Sequence, residues 1–296
     1  MTHGRAVVTM IVVTLMWSIA GVVTRHLEAA RSFEVTFWRS AFTVIALLIL
    51  LPAIRGRATL SRALREGGRT LWLSGLCWCV MFTAFMVAIT LTSVANVLIT
   101  MASAPLMTAL ISRVCLRHRL AARTWGAIVV AGIGIAWMYA REFSTADAQH
   151  LLGTLIALAV PIAAAVNWVV IQHTRSKADV DLLPAVLIGA ALSALLTLPF
   201  SLPFAASPHD LGLLALLGVF QLAIPCLMSV AAARYLSAPE ASLLALLEVI
   251  FGVAWAWLGA GETPAVHVLG GGAMVLTALA ANEAVSLRRR DSRRGR

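Results

Sequence analysis

Ten stretches of about twenty residues, each almost wholly apolar, decide what this chain can fold into. They run over 6–24, 33–53, 70–91, 94–113, 123–141, 152–172, 183–203, 211–233, 239–259 and 265–286. A helix rises about 1.5 Å per residue, so each stretch matches a hydrocarbon layer roughly 30 Å thick. Inside that layer every backbone N–H and C=O must be bonded within its own segment, which leaves the helix for runs of this length. The expected fold class is therefore an all-α integral membrane protein with ten transmembrane helices, numbered here as spans 1 to 10. Of the 296 residues 60% are hydrophobic and 12% charged, and the mean hydropathy of +0.91 excludes a water-soluble globule. The first run follows Arg5 but is long enough to span a bilayer and is read as a retained helix, not a signal peptide. Cys77, Cys79, Cys115 and Cys226 all lie in apolar stretches, where they suggest neither a disulfide framework nor a metal cluster. No cofactor is expected.

The net charge of +10 is distributed by side. Numbering alternate connections as one set collects nineteen of the 23 basic residues: Arg5, the cluster from Arg55 to Arg69, the cluster from Arg113 to Arg123, Arg175, Lys177, Arg234 and the tail from Arg288 to Arg296. The other set holds three, Arg25, Arg31 and Arg141, and Arg39 lies within span 2. Basic loops stay in the cytoplasm, so both termini are expected there, in a cytoplasmic (inner) membrane. The same distribution explains the basic loops as topology determinants near anionic lipid and argues against nucleic acid as a partner.

Five spans on each side of a polar connection make an odd number per half, so two halves of one fold would be inverted relative to each other. The division is 1–141 for the first five-helix repeat, 142–151 for the connecting loop, 152–287 for the second repeat and 288–296 for a basic tail. Two tight connections, LTSVAN between spans 3 and 4 and YLSAPEAS between spans 8 and 9, fall at equivalent places in the halves.

Polar groups are costly in hydrocarbon, about 2.5 to 3.5 kcal/mol for a charge at a helix centre, so those inside the spans must face protein or a cavity. The first half offers Trp17 and Ser18 on span 1 and a stripe of Asn96, Thr100 and Ser103 at i, i+4 and i+7 on span 4. Span 3 adds Phe82 and Phe85, about one turn apart. The second half offers Asn167 and Trp168 on span 6, Gln221 on span 8, and Ser242 and Glu248 on span 9. As a substrate site, the stripe would hydrogen-bond an amino-acid carboxylate or ammonium while Trp17 and Trp168 wall its side chain. As packing, the same hydroxyls would bond across helices or back to their own helix carbonyls. Trp72, Trp78, Trp125, Trp255 and Trp257 read as packing or interfacial anchors. Arg39, about 9 Å into span 2, is expected to snorkel to the outer interface. Glu248, about 13 Å in from the cytoplasmic end of span 9, is the deepest acid, and is either a proton carrier or a neutral donor satisfied by protein. Pro105, Pro161 and Pro225 fall mid-span, where a missing backbone donor bends a helix.

These segments resemble the drug/metabolite transporter superfamily, in its ten-helix metabolite-exporter (EamA-type) branch. LMWSIAGVVTRHL and TFWRSAFTVIALLIL look like that family's opening helices, and TLTSVANVLITMASAPLMTAL like its fourth helix with a mid-helix proline. YLSAPEASLLALLEVIFGVAWAWLGAGE and the glycine-rich HVLGGGAMVLTALA are the second-half counterparts. The chain departs from the pattern at Arg117 and His118, where an acid is usual, and after Glu248, where no proline follows. Within the superfamily the aromatic amino-acid exporters look closest.

The resemblance implies a secondary transporter that exports small metabolites, most plausibly aromatic or other apolar amino acids, by alternating access, with a small-molecule substrate and the lipid bilayer as its partners. Nucleotide-sugar and cationic-drug transport are the alternatives inside the superfamily. A membrane enzyme is the alternative outside it, but there is no HExxH, GxSxG or phosphate-binding glycine loop, and Asp179 with Asp181 is too small an acidic group for a metal-dependent transferase. A channel is the third class.

Overall fold

The computed structural model describes residues 1–116 apart from 31, then 148–174, 181–236 and 238–261, with isolated positions between 125 and 137 and between 263 and 281. Every regular element among these is helical and none is a strand. Seven helices are long and apolar enough to cross a membrane: His3–Thr24, Phe33–Arg55, Gly68–Leu91, Val94–Ile111, Ala148–Thr174, Leu183–Ser201 and Pro208–Ala233. They correspond to spans 1 to 4 and 6 to 8. Span 9 forms as two shorter helices, Ala238–Ala245 and Leu247–Ala260. Much of spans 5 and 10, most of the 142–151 connection and the basic tail lie outside the described residues.

The spans break where the sequence predicts bends. Val94–Met101 ends four residues before Pro105, and Ala148–Ala157 ends four residues before Pro161. A proline ring clashes with the carbonyl four residues back and gives it no N–H, so the helix stops at that carbonyl and restarts. Span 1 breaks at Ile19 and span 9 at Leu246 with no proline nearby. Span 8 runs as Pro208–Leu216, then seven residues of π-helix, Leu217–Ala223, then Ile224–Ala233. Pro225 again explains the place, because the wider π turn moves the Gln221 carbonyl away from the ring.

Span 7 sits at the middle of the packing, against spans 2 and 3. The contact with span 3 is close because glycines face it: a Cβ on Gly189 would lie 2.3 Å from the Trp78 Cβ, and one on Gly75 would lie 2.9 Å from the Ile188 Cβ. Small residues let membrane helices approach this way. Spans 2, 3 and 7 also share a hydroxyl chain, with Ser40 Oγ donating to Ser193 Oγ at 3.0 Å and Thr83 Oγ1 at 2.8 Å from the same oxygen. Ile45, Ile49, Leu195, Leu196 and Phe200 point outward and are more than half exposed. A surface that apolar suits lipid.

The 54–69 connection is more than a loop. Arg57–Glu66 forms an amphipathic helix in which Leu60 packs on the core and Leu64 beside it, while its arginines face out. Such a helix lies in the plane of the interface.

On the side predicted to be extracellular, two fully buried carboxylates pin two loops. Asp210, at the start of span 8, accepts from the backbone N–H of Glu28 (2.8 Å), Ala29 (3.0 Å) and Ala30 (3.0 Å) in the span 1–2 connection. It also accepts from Ser207 N at 3.3 Å, within a capping box. Glu34, at the start of span 2, accepts in turn from the backbone N–H of Ala205 (2.9 Å) and Ala206 (2.8 Å) in the span 7–8 connection. On the opposite side Asp181 pairs with Arg55 at 3.2 Å and with Arg234 at 4.0 Å, joining the ends of spans 2, 7 and 8.

Candidate functional site

Spans 1, 2, 3, 4, 6, 8 and 9 surround a central cavity of about 110 Å³. One water centre needs only about 10–15 Å³, so the space admits a small organic solute. Apolar and aromatic side chains make most of its wall, with a few polar groups among them, the composition of a small-molecule site.

The polar groups converge from different elements. Arg39 reaches in from span 2, only 1% exposed. Its Nη2 donates to the Phe82 carbonyl oxygen at 2.8 Å and its Nη1 to Gln221 Oε1 at 3.3 Å. The guanidinium carbon stands 6.0 Å from the Phe82 ring centre and 5.9 Å from that of Phe85, within cation–π range. Gln221 bridges the π segment of span 8 to both neighbours, since its Nε2 donates to the Trp17 carbonyl oxygen at 3.3 Å. Asn167 accepts at Oδ1 from Ser74 Oγ at 2.6 Å. Glu248 stands in the first turn of Leu247–Ala260, directly after the span 9 break, and is 7% exposed. Among the described residues no ion pair joins it to Arg39 and no hydrogen bond satisfies it. Three buried polar atoms of the lining have no hydrogen-bond partner among the described residues: Arg39 Nε, Trp78 Nε1 and Ser242 Oγ.

Eight of the twelve residues singled out from the sequence line this cavity: Trp17, Phe82, Phe85, Asn167, Trp168, Gln221, Ser242 and Glu248. The other four are not brought to it. Ser18 Oγ donates to the Leu15 carbonyl at 2.7 Å, Thr100 Oγ1 to the Asn96 carbonyl at 2.7 Å and Ser103 Oγ to the Thr100 carbonyl at 2.8 Å. Asn96 Nδ2 meets Thr92 Oγ1 at 3.3 Å and His150 Nε2 at 3.2 Å, in a cluster on the side predicted to be extracellular where Arg25 Nη2 also donates to the Thr92 carbonyl at 3.1 Å. The span 4 stripe thus bonds its own helix and this cluster.

Two lining residues were assigned otherwise from sequence. Arg39 does not snorkel: it points inward, held by Phe82 and Gln221. The signal was present, because Thr36, Ser40 and Thr43 mark the same buried face of span 2. Trp78 is buried at 4% exposure on the cavity wall, whereas Trp72, Trp125, Trp255 and Trp257 face outward at 41% or more.

The sequence profile described as "EamA-like transporter family" matches the chain twice, over residues 4–140 and 151–282. A solved structure titled only "Crystal structure of protein" aligns over 97% of this chain and 98% of its own, with a TM-score of 0.66 and 16% identity, which speaks for the fold alone. No curated protein matches the sequence.

Proposed function

The chain belongs to the EamA-like transporter family, whose members are small-molecule membrane transporters, and from that premise we propose that it exports amino acids with aromatic or other apolar side chains. The observation that carries this reading is the cavity itself: five aromatic residues, Trp17, Trp78, Phe82, Phe85 and Trp168, around a small number of buried polar groups. The site residues in this proposal are the eight lining ones named above together with Arg39 and Trp78. Ser18, Asn96, Thr100 and Ser103 act on helix geometry and the cluster around Thr92.

Transport proceeds by alternating access of two inverted five-helix halves around the cavity, in a ten-span chain with cytoplasmic termini in the inner membrane. Two features support this. The family profile fits once per half, and the helix breaks recur at corresponding spans, 1 with 6 and 4 with 9. Broken helices around a midplane site are the usual construction of such carriers. The testing experiment is counterflow in proteoliposomes holding the full chain, with a panel of radiolabelled amino acids. Saturable exchange of phenylalanine or tryptophan is the expected result. Exchange confined to nucleotide sugars or cationic amines would refute the amino-acid reading.

A further inference from the structure

Arg39 and Glu248, a base and an acid, are both buried in one cavity wall, yet they do not pair with each other. Both are near enough to Cys226, another lining residue, to act on its sulfur electrostatically. An isolated buried charge is costly, and proteins ordinarily relieve that cost with a counter-ion of their own. Here neither residue has one among the described residues. Arg39 spends two of its five N–H donors on neutral oxygens and leaves Nε unpartnered, and Glu248 accepts from nothing among the described residues.

We infer that this pair is a socket for a zwitterion, with Arg39 anchoring a carboxylate and Glu248 an ammonium. The inference rests on the reading of the chain as an amino-acid exporter, and it moves substrate recognition from the Asn, Thr and Ser stripe to two charges on spans 2 and 9. A carboxylate seated against Arg39 takes up the free Nε donor and supplies the missing counter-charge, in the planar geometry that a guanidinium favours. An ammonium at Glu248 does the same for the acid. The apolar side chain then lies among Trp17, Trp78 and Trp168. A solute carrying one charge satisfies one anchor and leaves the other buried alone, so the site selects for both charges together. The two anchors come from opposite halves of the chain, and one bound solute links them.

The test is inhibition of phenylalanine counterflow in proteoliposomes by four ligands: phenylalanine, phenethylamine, 3-phenylpropionate and 2-phenylethanol. Wild type is expected to favour phenylalanine, with each singly charged analogue roughly 10- to 100-fold weaker and the alcohol weakest. In Arg39→Gln, phenylalanine should fall to the level of phenethylamine while phenethylamine is unchanged, and Arg39→Lys should restore part of the loss. In Glu248→Gln, phenylalanine should fall to the level of phenylpropionate while phenylpropionate is unchanged. Equal weakening of every ligand by the Arg39 variants, or none, overturns the inference and leaves amino-acid export standing. If Arg39→Gln does not fold, the wild-type ranking decides: 2-phenylethanol as effective as phenylalanine overturns the socket. Failure of every amino acid to exchange in wild type would remove the exporter reading and the socket with it.

Discussion

Asp210→Asn isolates one of the carboxylate-to-loop attachments on the outer side. The amide has nearly the shape of the acid but only one acceptor oxygen. In its better orientation that oxygen takes the Oδ2 place and keeps Ala29 N, Ala30 N and Ser207 N, while the NH2 group faces the Glu28 N–H that Oδ1 holds at 2.8 Å. One charge-assisted bond is lost, two donors oppose each other and the three remaining bonds weaken to neutral strength, which together costs about 2–4 kcal/mol. The capping bond from Asp210 N to Ser207 Oγ is untouched, so the loss falls on the span 1–2 connection. At about 1.4 kcal/mol per decade, amide hydrogen exchange at Glu28, Ala29 and Ala30 should accelerate roughly 30- to 700-fold. Hydrogen-exchange mass spectrometry on the full chain in lipid nanodiscs reads this directly. The amides of Ala205 and Ala206, held by Glu34, serve as the internal control. Exchange at 28–30 within threefold of wild type would show that Asp210 does not hold this connection.

Four further outcomes are expected. Gly189→Leu should abolish folded protein, measured by size-exclusion yield, because even a Cβ there meets Trp78 and the backbone of span 3. Trp17→Ala should reduce transport more than folded yield, whereas Asn96→Ala, at a residue that bonds Thr92 and His150 away from the cavity, should lower yield and transport together; the opposite pattern would return Asn96 to the site. A cysteine at Gln149 should label from outside intact cells and one at Arg62 should not, since the nineteen-to-three basic bias sets the orientation. Glu248→Gln should leave the response of flux to an imposed proton gradient unchanged, because an anchor for ammonium need not carry a proton; loss of a substrate-linked proton current in this variant would make it a coupling residue.

The seven spans long enough to cross a membrane were legible because hydrocarbon imposes one element and one length. The prolines likewise announced the breaks in spans 4, 6 and 8. The breaks at Ile19 and Leu246 had no such mark. Most of the cavity wall was legible, in part because polar residues are rare in spans: Gln221, Asn167 and Glu248 have few alternatives to facing inward. For span 4 the sequence left substrate contact and packing both open, because a Thr or Ser can satisfy its hydroxyl on its own helix, and sequence does not show which partner wins. Arg39 was misplaced by depth. Its distance from the interface allowed snorkelling, and only the polar residues at 36, 40 and 43 show which way it turns.

The π segment of span 8 makes the residue count of that helix functionally critical. A π turn takes in one residue more than an α turn, so deleting one residue between Leu217 and Ala223 would restore ordinary winding, leave the helices on either side near their present phase, and shift the residues inside the segment out of register. Cys226 would keep its place on the cavity wall, but Gln221 would turn away from Arg39 and the Trp17 carbonyl and its own carbonyl would return toward the Pro225 ring. Gly218 fixes the phase from the other end: its carbonyl accepts from Thr43 Oγ1 at 2.9 Å, and a Cβ there would lie 2.7 Å from the Arg39 carbonyl oxygen. Relatives that bind in the same way should therefore keep the spacing from this glycine to Pro225 even where the residues between them drift, and a one-residue indel in that interval would mark a transporter with a different substrate.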